Sequence, residues 1–340
     1  MSESKAIKWS SLSLISLLLV SLLGVVMRYK IGFEFPWFNQ KNLQHAHSHF
    51  AFSGWVSQTL MFILFYFIRP FIEEKSKKKY HLLLGVNLLI AYGMFFSFAA
   101  HGYDALSITF STGSILVSFV FISVFFRDLK LVPDTHPSKN WFKASLIFSF
   151  ISSAGTFSLA YMMATKNIHQ NEYLASVYWY LHFQYNGWFF FACMGIFQDY
   201  LLKKFPEYKA NPIVFKMFAY SCIPALGLSL LWMKLAMAVW IIVFLAALFQ
   251  VIAWVIFLKQ LNQLSFLQQL NTKIGEKYLW MILGLALSIK LFLQLGSTIP
   301  EVSTLAFGFR PIVIAYLHLV LLGIISLFLL VVLFSENFVH

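Results

Sequence analysis

The sequence predicts an all-α integral membrane protein of about ten spanning helices, and three observations predict it. The 340 residues are 60% hydrophobic and 19% aromatic, with only 11% charged, whereas a soluble chain carries about 25% charged residues. Ten stretches reach the roughly 20 mostly apolar residues that a helix needs to cross the hydrocarbon. The basic residues between them alternate in density from one loop to the next.

The spans read, in order, 9–27, 46–68, 81–100, 105–126, 141–163, 177–200, 212–232, 235–258, 279–298 and 311–334. All are continuous apolar runs, not the alternating pattern of barrel strands. The first follows Lys5 and Lys8 with no small-residue cleavage site after it, which reads as a retained helix and not a signal peptide. The third ends on the outside in His101-Gly-Tyr-Asp104, a turn at the interface. Pro224 lies within the seventh and should kink it. The connections are short, so 1–340 reads as a single polytopic domain. Cys193 and Cys222 fall inside spans and read as buried thiols; they give no disulfide framework.

The net charge of +12 does not point to nucleic acid. With the N-terminus inside, 18 Lys and Arg fall on inside segments and 6 on outside ones, with Lys290 alone within a span. That is the positive-inside bias, and it predicts a bacterial inner (cytoplasmic) membrane protein with both termini cytoplasmic. The run Lys75–Lys79 reads as an orientation signal and a lipid contact.

A repeat is written in histidine. The second span contains His49-Phe-Ala-Phe-Ser-Gly54-Trp55, the sixth His182-Phe-Gln-Tyr-Asn-Gly187-Trp188, and the tenth His318-Leu-Val-Leu-Leu-Gly323. In each, glycine follows histidine by five residues, and another ring (His47, Tyr180 or Tyr316) precedes it by two. The histidines are 133 and 136 residues apart, which is four spans each time. All three spans run from outside to inside, so the imidazoles share one level, one or two turns below the outer surface at a rise of 1.5 Å per residue. Ionisable residues inside a membrane are costly and face the bundle interior, and neutral imidazole is a common axial ligand of haem iron. The glycine leaves room for a flat macrocycle or a neighbouring helix. Metal or haem ligation at His49, His182 and His318 is the reading this supports; interfacial or interhelical histidines are the alternative.

With these motifs the chain resembles the core subunit of the haem–copper oxidase superfamily, nearest its nitric oxide reductase branch, and in general form its copper-lacking NnrS-type relatives. The resemblance implies a subunit I-like fold of pseudo-threefold four-helix arcs, here 9–126, 141–258 and a truncated third, 279–334. His45-Ala-His47-Ser-His49 resembles the stretch that supplies axial ligands to two haems. His182 matches the family's non-haem metal ligand, and His318 stands where a remaining low-spin haem ligand would be. The family's cofactors are then implied: haem b, one or two, with copper or non-haem iron as the metal beside it. Its partners are a quinol or c-type cytochrome as electron donor and nitric oxide or oxygen as ligand. The chain departs from the family at the catalytic metal. The seventh span has no His-His pair, Asn186 replaces the sixth-helix Glu, and no Asp or Glu lies mid-membrane.

Singly, His47 and His49 are turned about 200° from each other on a helix, so they serve two haems on opposite sides, or His47 is a loop or supporting residue. His45 reads as loop; His81, His136, His169 and His340 carry no assigned chemistry. Lys290 shares a helix face with Gln294 and meets a polar cavity, a cofactor carboxylate or an interhelical hydrogen-bond partner, unless the span edge lies elsewhere. Arg310, two turns before His318, suits a haem propionate and equally a plain interfacial position. The expected function is therefore a membrane b-type haem protein, for electron transfer or for binding nitric oxide or oxygen near the outer face, with His49 and His318 as the bis-histidine pair. An active nitric oxide or oxygen reductase core subunit is a second reading. A cofactor-free transporter or assembly factor is a third.

Overall fold

The computed structural model describes residues 3–233, 235–270, 274–336 and 338, the side chains of residues 3–5 and 274 excepted. Lys234, Lys273 and His340 lie outside the described residues. The described structure is 87% helix, with no strand among the described residues. In hydrocarbon only helices satisfy every backbone N–H and C=O within one segment.

The helices are α1 (Glu3–Gly32), α2 (Gln40–Phe71), α3 (Glu74–His101), α4 (Ala105–Asp128), α5 (Ser138–Thr165), α6 (170–204), α7 (Pro212–Cys222), α8 (Met237–Gln263), α9 (Phe266–Gln269), α10 (Ile274–Gly296), α11 (Pro300–Gly308) and α12 (Arg310–Ser335). Eight are long and apolar enough to cross a membrane, and nine are if α7 and the 3-10 turn Pro224–Leu230 form one bent span. The bend is 48°, at the proline that the sequence marks. The remaining expected span, 177–200, lies within α6, where Tyr, Trp, Asn and Gln make it less apolar than the others. The short helix α11 falls where the sequence suggests a loop.

Helix ends follow local chemistry. Asn39 caps α2, its side chain accepting from the Lys41 and Asn42 N–H groups, and Asp104 with Ser107 forms a capping box at α4. Gly102, at φ 68°, ends α3, where a side chain would strike Asn42. Along α3, Leu82, Leu89 and Phe96 are 68%, 68% and 63% exposed, while Leu84, Ala91 and Phe98 are fully buried. Each set repeats every seven residues. An apolar stripe this exposed is stable against lipid and not against water, so the protein is a multi-pass membrane protein.

The chain groups into two compact units. The first holds residues up to Asp134 and the end of α12 from Val332; the first expected arc, 9–126, lies within it. Its core packs Leu23, Leu43, Ala46, Met94 and Phe98, and Asn87 donates to Gln58 Oε1 at 2.8 Å deep inside. The second unit runs from Thr135 to Val331. There Ala225, Leu228, Val243, Ala246 and Ala247 form a core of small and branched side chains. At Gly155 of α5 an added Cβ would lie 2.5 Å from the Ser176 carbonyl oxygen and 2.9 Å from the Tyr180 nitrogen. Those are backbone atoms, which cannot rotate away. Gly155→Val should therefore cost about 3 kcal/mol or more, the upper end of overpacking. A thermal midpoint equal to wild type, in detergent, would count against so close an approach of α5 and α6.

Candidate functional site

The three repeat histidines share a backbone feature that residue types alone do not announce. His49 is followed, after Phe50, by a π-helical segment, Ala51–Ser57; His182 is followed directly by Phe183–Phe189, and His318 by Leu319–Ser326. These are the three π-helical segments among the described residues. In the first, the Gln58 N–H reaches back five residues to the Ser53 carbonyl. A π turn frees carbonyl groups from the regular ladder, and such turns gather at functional sites. Side chains also reach carbonyls of these turns: Asn87 donates a second bond to the Ser53 carbonyl at 3.3 Å, and Cys222 Sγ approaches the Asn186 carbonyl at 3.7 Å. The repeat glycines fall inside these turns. At Gly187 a Cβ would meet Phe148 of α5 at 2.6 Å, so this glycine admits a neighbouring helix. At Gly54 a Cβ would strike the ring of Phe50 on the same helix.

In the first unit, α2 begins six residues before the expected span. His45 is therefore helical, not loop, and the cue was the cap residue Asn39. His45 and His49 stand one turn apart on one face, and the Tyr103 ring lies edge-on to both, at 4.6 and 6.1 Å. His49 stacks on Phe98 at 4.4 Å and 4°, and its Nε2 is 3.2 Å from the Tyr103 hydroxyl. His47 points elsewhere: its Nδ1–H donates to the Val20 carbonyl of α1 at 3.0 Å. The two are thus turned apart as helix geometry requires, with His47 fastened to a helix and not in a loop.

In the second unit, His182 is fully buried. Its Nε2 lies 2.8 Å from the Cys222 carbonyl oxygen. A carbonyl only accepts, so Nε2 carries the proton. Nδ1 then accepts from the Asn186 amide at 3.1 Å. Both ring nitrogens are occupied, so a metal at His182 would have to displace one of these bonds. The Cys222 carbonyl is available because the 3-10 turn Pro224–Leu230 takes the Leu226 N–H to Ile223 O instead. Around this pair the Tyr185 hydroxyl adjoins Ser229 and Asn186. Buried Lys290 acts electrostatically on His182 and Cys222, and its Nζ sits 5.8 Å from the centre of the Phe190 ring. Asn186 Oδ1, Ser221 Oγ, Gln294 Oε1 and Tyr316 Oη are buried without a hydrogen-bond partner among the described residues, and buried polar atoms ordinarily have one.

His318 is the open one. It is exposed, and its Nδ1–H donates to the Ile314 carbonyl one turn back at 2.7 Å. That bond fixes the tautomer and leaves the Nε2 lone pair outward, the usual orientation of a ligating imidazole. Arg310 is exposed at the first position of α12, with no ion pair among the described residues. No group of three or more His, Cys, Asp or Glu able to hold a metal ion occurs among the described residues. His101 ends α3, exposed, as expected. His81 accepts from Trp9 Nε1 at 3.1 Å. His169 precedes α6. His136 lies 3.7 Å from Asp199, which Lys203 holds at 2.8 Å; burial keeps the His136 pKa below its ordinary value despite that carboxylate.

No protein-family model matches the chain, and no curated protein matches it.

Proposed function

We propose that this chain is a b-type haem protein of the bacterial inner membrane, with a haem–copper oxidase-like arrangement of ten spans and both termini cytoplasmic. Its role is electron transfer, or binding of nitric oxide or oxygen, near the outer face. The observation that carries the reading is His318, whose Nδ1 is tied to the Ile314 carbonyl while Nε2 stays open. The π turns that follow all three repeat histidines support it.

The donors fit haem iron unequally. His318 is ready to ligate. His49 frees Nε2 by one rotation of the Tyr103 hydroxyl, and Phe98 holds its ring plane. Arg310 offers a guanidinium to a propionate. A bound haem supplies one-electron chemistry, or an open position for a diatomic gas. The chain's own work is to orient each imidazole and, at His318, to fix its proton on Nδ1. His182, with both nitrogens engaged, serves as a hydrogen-bond post for Cys222 and Asn186.

A second reading has its own support. The buried cluster of His182, Asn186, Lys290 and Tyr316, with its unpartnered atoms, would suit a polar path in a cofactor-free transporter. Absorption spectra separate the two. The protein purified from haem-supplemented cells should show the sharp α band of low-spin b haem on dithionite reduction. Protein that purifies intact with no Soret band would sink the haem reading.

A further inference from the structure

A cavity of about 510 Å³ opens in the second unit, apart from the three histidines. Its long walls are single helix faces. On α8 the lining residues are Trp254, Phe257, Leu258, Leu261 and Asn262, the i, i+3, i+4, i+7, i+8 spacing of one face. α6 lines it in the same way from Phe190 to Phe197, and α10 from Trp280 to Ser288. At 1.5 Å per residue these stripes are about 10–12 Å long. The cavity therefore runs lengthwise along the helices, over much of one leaflet, which is half of a hydrocarbon core about 30 Å thick. Its two ends differ. At one, Trp254 Nε1 donates to Ser288 Oγ at 2.8 Å and ties α8 to α10. At the other stand Asn262, Ser265 and Gln268, beside α9. The side is open: Leu258, Leu267 and Met281 line the cavity and are yet 38%, 36% and 45% exposed. Val255 and Leu285, one turn away on α8 and α10, are exposed too, so the mouth faces lipid. We infer that this cavity holds one acyl chain of an anionic phospholipid, with the phosphate at the end marked by Asn262 and Gln268.

Shape and charge together decide the ligand class. A groove two helical turns long takes a chain laid along it. Seven of the lining residues are aromatic and none of those described is charged, so the walls suit hydrocarbon and leave an ionised group outside. Lipid tails are as apolar in the bilayer as here. The gain is therefore in packing, because walls with nothing against them forfeit their dispersion contacts. Ser288, at the closed end, already accepts from Trp254 and donates to Gly284 O at 2.7 Å, so a chain's terminal methyl meets no unmet polar atom of that residue. At the other end the amide groups of Asn262 and Gln268 can donate to ester carbonyls. Two cations flank the mouth on that side. Lys259 follows Leu258 on α8, and Lys277 stands one turn before Met281 on α10. Glu276, the carboxylate beside Lys277, accepts from the Tyr200 hydroxyl at 2.9 Å. Basic residues at the membrane surface attract anionic headgroups, and these two sit where the phosphate of a chain in the groove would emerge. With the proposed topology, this is the cytoplasmic leaflet.

Binding depends neither on haem nor on which face is cytoplasmic, so it stands or falls separately from the proposed function. Gly284 lines the cavity, and a Cβ added there meets nothing within 4 Å, so a large side chain can enter without clashing at its root. Gly85 in the first unit is equally open and serves as control. The purified full chain, given equal dioleoyl phosphatidylglycerol and phosphatidylcholine in detergent micelles, should carry one phosphatidylglycerol into native mass spectrometry. Its affinity should fall at least tenfold in Gly284→Phe and stay unchanged in Gly85→Phe. Lys259→Gln combined with Lys277→Gln should erase the preference between the two lipids. A second arm needs no variant to fold. In vesicles of phosphatidylglycerol carrying a diazirine near the chain end, the label should reach Met194, Phe197 or Ile325, which line the cavity and are buried. Equal retention in wild type and both glycine variants, equal retention of the two lipids by wild type, or labelling confined to exposed residues such as Val255 and Leu285 would overturn the assignment.

Discussion

His318→Ala should remove the low-spin haem spectrum from the purified protein, or leave a high-spin iron in its place, while the protein itself accumulates and melts as wild type. The two halves of this expectation come from the same geometry. The imidazole is exposed and its hydrogen bond is to its own helix, one turn back. Losing a side chain of that kind changes stability by no more than about 0.5 kcal/mol. If His318 holds a haem as proposed, its loss would remove one of the residues that bind the iron, and the absorption spectrum would report it. His318→Gln should behave as alanine does, because an amide is not an axial ligand of comparable strength. His49→Ala should also change the spectrum, but with some loss of stability, since its stack on Phe98 contributes about 0.5–1.5 kcal/mol. An unaltered spectrum in both variants would show that neither histidine holds iron.

How much of this was legible in the sequence depends on what fixed each feature. The membrane class was legible because burial in lipid is a composition, and the bend at Pro224 because a missing N–H is local. The repeat was legible as spaced residues. Its meaning in the backbone was not, because a π turn is a change of hydrogen-bond register that no periodicity of side chains encodes. The early start of α2 was missed although Asn39 marked it; the polar Gln40–His45 stretch hid the helix behind low hydropathy. The span within α6 was read as one apolar stretch among ten, while its Tyr, Asn and Gln suited buried partners such as Ser152, Ser229 and Cys222. The aromatic cavity brings together residues from 190 to 328, a tertiary product with no local signature. Lys290 stood out in sequence as a charge within a span, but its neighbours His182, Cys222 and Phe190 could be named only from the fold.

His182→Ala should destabilise the second unit by about 2–4 kcal/mol, the range for truncating a large buried side chain, and should leave any bound haem's axial ligation unchanged. The side chain fills fully buried space, so its loss opens a cavity. It also strips a donor from the Cys222 carbonyl and an acceptor from the Asn186 amide. Hydrogen bonds between membrane helices average only about 0.6 kcal/mol in double-mutant cycles, so the cavity carries most of the loss. The carbonyl provides a finer test. It lacks a helical partner only because the 3-10 turn after Pro224 takes the Leu226 N–H to Ile223. In Pro224→Ala a regular helix can return a donor to Cys222, and His182→Ala should then cost measurably less than in the wild-type background. His182→Gln, which keeps an N–H within reach of that carbonyl, should recover part of the stability but none of an imidazole's metal affinity. If alanine leaves the thermal midpoint in place yet abolishes a cofactor signal, His182 is a ligand whose present hydrogen bonds are displaced on binding. If it lowers the midpoint and spares the signal, His182 is the post that holds α6 against the kink of α7.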